Sequence, residues 1–311
     1  MDDVILSGRA RHRLAVVAAS VAAGLLLAAV FHAAGASTLL RQLAARAVSP
    51  YEPRGTSVPA LDGRHLYLDC RGSGSPTVIL ESGMGEGAGS WGAVLDDAVR
   101  ITRTCAYDRA NRARSEPRGR HTLADAVADL WAALAATGEH PPYIVVGHSL
   151  GDTYARAFAG GHPEDVVGLV LVDGFAPDRF RRLIAAAPTE LAARWQANLD
   201  ANIRAVEATE SLDWAASERQ LAAVDLGDLP VVVVVAHQPF AIDPHITDRL
   251  REPLEALWRA GLGDYSSRTR VVVLDGVGHH IQYDRPGAIV EAIERLVRAG
   301  RAEGPSARAR S

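Results

Sequence analysis

Residues 231–235 are five consecutive valines. β-Branched side chains are stiff and favour extended backbone, and an apolar residue at every position leaves no face for water. The run therefore predicts a strand buried on both sides, the hallmark of a parallel sheet covered above and below. Comparable apolar runs occur at Tyr143–Val146, Val167–Val172 and Val271–Leu274. Between them lie helical patterns. Leu123, Ala126, Val127, Leu130 and Leu134 recur at helical spacing and predict a helix over 122–137. Further helices are expected over Ser149–Ala159 and Leu250–Trp258. A last one is expected to start at Asp284-Arg285-Pro286, with Asp284 as N-cap and proline in the first turn. Upstream, His65–Leu68, Thr77–Leu80 and Thr102–Tyr107 read as strands, two of them ending in Gly/Ser turns. Strand–helix alternation with continuous apolar strands gives an α/β domain, with a mostly parallel sheet and helices on both faces.

The chain divides unevenly. Arg9, Arg11 and Arg13 precede an uncharged stretch, Leu14–Leu40, broken only by His32. Its strongest apolar part, Leu14–Phe31, approaches the roughly 20 residues of a membrane span, while Ala34-Gly35-Ala36 fits a signal cleavage site. Residues 1–54 are thus expected to be a membrane anchor or signal segment plus a linker. Either way the positive flank stays inside and the rest is exported. Residues 55–299 form the folded domain, and 300–311 read as a disordered tail. Net charge is −4 and aromatics are 5%, without a basic patch, so nucleic acid is not a partner. The partners expected are a small-molecule substrate and, through the N-terminal segment, a membrane.

Gly147-His148-Ser149-Leu150-Gly151 follows one predicted strand and opens a predicted helix. In that context G-x-S-x-G is a nucleophile elbow, a sharp turn that lifts the serine hydroxyl from the sheet. Backbones approach closely there, so side chains at 147 and 151 would clash. The helix N-terminus offers free N–H groups to developing negative charge. A serine hydroxyl needs a base, and the base an orienting acid. His279, in Gly276-Val277-Gly278-His279, lies just past the last predicted strand and is the expected base; His280 is its neighbour and rival. For the acid, Asp173 directly follows the strand ending at Val172, and Asp243 lies a few residues beyond the valine strand. Asp275 reads as structural. The expected oxyanion donors are the backbone N–H groups of Leu150 and of Met84, in Glu81-Ser82-Gly83-Met84-Gly85. No metal-ligand or phosphate-loop pattern appears, so no metal or other cofactor is expected.

These pieces together resemble the α/β-hydrolase family. The carriers are Pro76–Gly83, Cys105-Ala106-Tyr107-Asp108-Arg109-Ala110, Gly147–Gly151, Leu169–Asp173 and Gly278-His279. More closely, the chain looks like membrane-anchored actinobacterial members. The resemblance implies an eight-stranded sheet in which the second and fourth strands are neighbours, bringing Cys70 and Cys105 within reach of a disulfide. It also implies a serine hydrolase acting on a carboxylic ester, lactone or thioester. The usual Gly-x-x-Asp after the seventh strand is replaced by Ala236-His237-Gln238-Pro239, which moves the expected acid to Asp173, with Asp243 in reserve. Tyr107–Ser115 lacks the two glycines usual in its motif, and Asp152 stands where the elbow is often followed by glycine. Two other readings stay open: a catalytically weak or inactive member that binds a ligand or partner, and a cofactor-free haloperoxidase or perhydrolase. The stretch 176–227 is longer than a plain crossover and is expected to be a helical lid.

Overall fold

The computed structural model describes residues 51–237 and 248–303. The apolar N-terminal segment, Asp243 and the last eight residues lie outside the described residues. No helix among the described residues is long and apolar enough to cross a membrane.

Eight strands form one sheet: β1 (Thr56–Pro59), β2 (His65–Arg71), β3 (Thr77–Glu81), β4 (Thr104–Asp108), β5 (Tyr143–His148), β6 (Val166–Val172), β7 (Val231–Ala236) and β8 (Thr269–Leu274). Their spatial order is β1-β2-β4-β3-β5-β6-β7-β8. β2 runs antiparallel to both neighbours, and every pairing from β4 through β8 is parallel. The edge strand β1, only four residues long, has no counterpart in the hydrophobic pattern, because only Val58 of the four is buried. The expected adjacency of β2 and β4 holds. Cys70 sits directly opposite Cys105 in the register, and their sulfurs are bonded.

The valine strand shows why the sheet is covered twice. Val231, Val233 and Val235 pack into one core with Leu130, Phe158 and Leu171. Val232 and Val234 pack into the opposite core with Trp91, Ile293 and Leu296. The first core lies under helices α2 (Leu123–Ala136) and α3 (Gly151–Gly161), and the second under α1 (Gly92–Ala98) and the C-terminal helix. Thr122 caps α2 by a reciprocal box with Asp125, which satisfies otherwise free N–H groups of the first turn.

Between β6 and β7 run α4 (Pro177–Ala186), α5 (Thr189–Glu210) and α6 (Trp214–Ala222). The stretch expected to be a lid is thus largely helical. Trp214 of α6 and Val206 of α5 are buried with Leu123, Leu150 and Tyr154. Helix α7 (Asp248–Leu262) packs on α4 and α5, with Leu254 against Leu183, Leu191 and Trp195. Leu250, Leu254, Leu257 and Trp258 form one helical face, and that face meets the apolar residues of α4.

A short α8 (Ile281–Asp284) precedes α9 (Pro286–Glu303). Asp284 is not the N-cap of α9. It ends α8, and its carboxylate instead accepts the Gly278 N–H at 2.6 Å, tying down the turn that carries His279. Helix α9 also continues to Glu303, past residue 299, where the sequence reading ends the domain.

Candidate active site

Ser149 has φ 52°, in the left-handed region that L-residues avoid. The turn is forced by its surroundings. A Cβ on Gly147 would lie 2.4 Å from the Gly151 carbonyl oxygen, and one on Gly151 would lie 2.3 Å from that of Glu81. No side chain fits at either position. The second contact also seats the start of the Ser82–Gly85 loop directly on the elbow, beside Leu150.

Asp173 leaves the neighbouring strand at the same level. Ser149 donates its backbone N–H to Val172 O at 3.0 Å, and Phe175 returns one to Ser149 O at 2.9 Å. The Asp173 backbone N–H is held by Val234 O at 2.8 Å, and its Oδ1 accepts the Ala236 N–H at 3.1 Å. Its Oδ2 is thereby aimed at His279 Nδ1, 2.6 Å away, and His279 Nε2 lies 3.0 Å from Ser149 Oγ. An ionised carboxylate only accepts, so His279 carries its proton on Nδ1 and presents a bare Nε2 to the hydroxyl. Ser149, His279 and Asp173 thus meet in one hydrogen-bonded chain.

His280, the rival base, points away, with its Nε2 3.5 Å from Glu86 Oε1. His148 is buried beneath the site. Its Nε2 donates to the His279 carbonyl at 3.0 Å, and Gln282 Nε2 lies 3.2 Å from its Nδ1. Burial lowers the His148 pKa, although the Glu86 carboxylate, 3.3 Å from its Nδ1, acts to raise it. Asp275 bonds His237 at 2.6 Å, remote from Ser149 in this network.

Asp152 brings a carboxylate into the first turn of α3, just behind the elbow. It is fully buried, and Arg156 Nε lies 2.5 Å from its Oδ1, while the Tyr265 hydroxyl donates to Oδ2 at 2.8 Å. Burial opposes the Arg156 charge, but Asp152 more than offsets this and raises its pKa. The charge is therefore neutralised in place. Gly174 makes room for the pair, since a Cβ there would lie 2.1 Å from Asp152 Oδ2. Arg156 and Tyr265 carry no sequence signal for this role, because their proximity arises only on folding.

In the Ser82–Gly85 loop, the Gly83 N–H donates to Glu86 Oε2 at 3.2 Å and the Gly85 N–H to Glu210 Oε1 at 2.8 Å. Among the described residues the intervening Met84 N–H has no partner, and neither does the Leu150 N–H. Both expected oxyanion donors are uncommitted.

The sheet order agrees with sequence comparison. The pattern of the α/β hydrolase fold matches residues 76–227. The chain has the α/β-hydrolase fold. Within it, the uncharacterized protein YqjL of Bacillus subtilis is 30% identical over 115 residues, which are 36% of this chain and 46% of that protein. The chain thus spans less than half the length of the curated relatives it matches. Two solved α/β-hydrolase-fold structures show the likeness at greater length. A thermophilic esterase from Thermogutta terrifontis superposes with a TM-score of 0.52 at 19% identity, covering 79% of this chain and 98% of that one. An esterase from Exiguobacterium antarcticum gives 0.52 at 17%, covering 78% and 99%.

Two cavities adjoin this site. The first, about 480 Å³, is lined by Ser149, His279, Val277 and Ala236. The second, about 330 Å³, runs under α4, α5 and α7 between Phe180, Leu183, Val235 and Leu262. Asp173, Phe175, Asn202 and Trp258 line both, so the serine opens onto a mainly apolar chamber. The one grouping of candidate metal ligands among the described residues is Cys70, Cys105 and Glu139. Its sulfurs are bonded to each other and Glu139 is paired with Arg103, so it offers no free thiolate.

Proposed function

We propose that this chain is a serine hydrolase that cleaves a carboxylic ester, lactone or thioester through an acyl-enzyme. The observation that carries the reading is the chain Asp173–His279–Ser149, at 2.6 and 3.0 Å. Ser149 Oγ attacks the carbonyl carbon as His279 Nε2 takes its proton. Asp173 holds the Nδ1–H tautomer and stabilises the imidazolium that forms. The N–H groups of Leu150 and Met84 receive the oxyanion, and the end of α3 adds its positive dipole. His279 then protonates the leaving alcohol or thiol. Water, activated by the same imidazole, releases the acid. The adjoining apolar chamber favours substrates with a hydrocarbon group on one side of the scissile carbonyl, and the two volumes suit small molecules.

The catalytic domain is also proposed to work outside the cytoplasm, tethered to the membrane by its N-terminal segment or released by cleavage. The Arg-flanked apolar stretch and the Cys70–Cys105 disulfide support this. The test of the activity is hydrolysis of a short-chain chromogenic ester together with labelling by a fluorophosphonate. Wild type should do both and Ser149→Ala neither. A folded wild type inert to both overturns the reading in favour of a binding protein.

A further inference from the structure

Three buried charged groups and a fourth, partly exposed one lie beside the oxyanion loop, and the mechanism above uses none of them. Glu81 ends β3, Arg109 follows β4, and Glu210 is the last residue of α5; all three are at most 4% exposed. Arg112 reaches the same point from the surface side, with its Nε 3.7 Å from Glu210 Oε2. Burying such groups is costly unless every charge is paired. Arg109 Nη1 donates to Glu81 Oε1 and to Ser82 O, both at 2.6 Å. Its Nη2 donates to Gly83 O at 2.8 Å and Glu210 Oε1 at 3.1 Å. Its guanidinium also lies 4.5 Å from the centre of the Tyr154 ring on α3. One arginine thus holds two successive carbonyls of the loop, and a carboxylate from the lid helix holds both that arginine and the Gly85 N–H.

We propose that Glu210 and Arg109 are positioning residues for the oxyanion hole, so that docking of α5 completes it; this rests on the serine-hydrolase reading. With Ser82 O and Gly83 O drawn to Arg109, and Gly83 N–H and Gly85 N–H taken by Glu86 and Glu210, the Met84 N–H is the one loop donor from Gly83 to Gly85 left for substrate. The same helix lines the substrate cavity through Asn202. A substrate that seats α5 therefore also sets the loop. The end of α5 is secured by two further bonds, Asn111 Nδ2 to Glu210 O at 3.2 Å and Arg112 to Thr209 O.

The experiment compares wild type with Glu210→Ala, Glu210→Asp and Glu210→Gln. It uses a short neutral ester, with active sites counted by a fluorophosphonate and affinity for a trifluoromethyl ketone measured alongside. That ketone forms a tetrahedral adduct and needs the oxyanion hole. Glu210→Gln keeps an acceptor for Gly85 and Arg109 and should stay within about threefold of wild type. Glu210→Ala and Glu210→Asp should lose roughly 10–100-fold in kcat per active site, less than the roughly 10²–10³-fold for outright loss of a donor. KM should be nearly unchanged, and ketone affinity should fall in parallel with kcat/KM. A purely structural role would lower the fraction of active sites but leave kcat per site intact. That result, or Glu210→Gln as impaired as Glu210→Asp, overturns the proposal. If Glu210→Ala does not fold, Glu210→Asp alone decides. A wild type inert to ester and probe overturns the serine-hydrolase reading and this inference with it; an active wild type with unaffected variants overturns this inference alone.

Discussion

Ser149 and Asp173 stand at the ends of adjacent parallel strands, and both have positive φ, 52° and 43°. Left-handed backbone at non-glycine residues costs about 1–3 kcal/mol each and clusters where function over-determines geometry. Neither residue is glycine because each side chain has a partner in His279.

That strain predicts a trade between stability and activity. Ser149→Gly removes the side chain from a strained position, and the relief outweighs the extra unfolded-state entropy of glycine. The variant should melt no lower than wild type while losing at least about 10⁴-fold in kcat. Thermal melts and ester hydrolysis on one preparation check this. A clear loss of melting temperature would show that the Ser149 hydroxyl supports the fold.

Asp173→Asn should preserve the fold, since the asparagine oxygen still accepts the Ala236 N–H. It removes the charge that fixes the His279 tautomer, so kcat should fall roughly 10³–10⁴-fold. Asp243→Asn should leave the rate near wild type. The reverse ranking would identify Asp243 as the acid.

Cys70 and Cys105 close a loop with a sequence separation of 35. Replacing both with alanine should cost about 3–4 kcal/mol on the loop-entropy estimate, read as a lower denaturation midpoint. Thiol labelling of the native, non-reduced protein should find no free thiol. Two reactive thiols would rule out the bond.

Burial lowers the pKa of His148 from its ordinary 6.5. Between that value and the lower folded one, the unfolded chain binds more protons, so stability rises with pH through this window and is lost as pH falls through it. His121 and His162, also lowered by burial, act with the same sign. Melting temperature should therefore drop as pH falls below about 6.5, and the drop should be shallower in His148→Gln. Equal slopes in the two proteins would mean that His148 is not neutral in the fold.

Much of the architecture was legible because its signals are local. A run of valines, a serine between two glycines at a strand–helix junction and a histidine just past the last strand each depend on a few neighbouring residues. They were enough to anticipate the parallel sheet, the elbow, and Ser149, His279 and Asp173 as candidates. The short edge strand β1 was not legible, since one buried side chain in four residues leaves no pattern. Asp284 read as an N-cap from its place before Pro286, but the Gly278 N–H claims its carboxylate first.

By itself, the sequence determined most of the strands and the main helices and where a nucleophile can be raised from the sheet, because backbone preference and hydrophobic period act within a few residues. Only the tertiary structure decided that Asp173 meets His279, that Asp152 is neutralised by Arg156, that α7 joins α4 and α5 in lining the cavity, and that Glu210 reaches the Gly85 N–H. Each of those depends on strand register and helix docking between segments far apart in the chain, where no local pattern specifies which side chains meet.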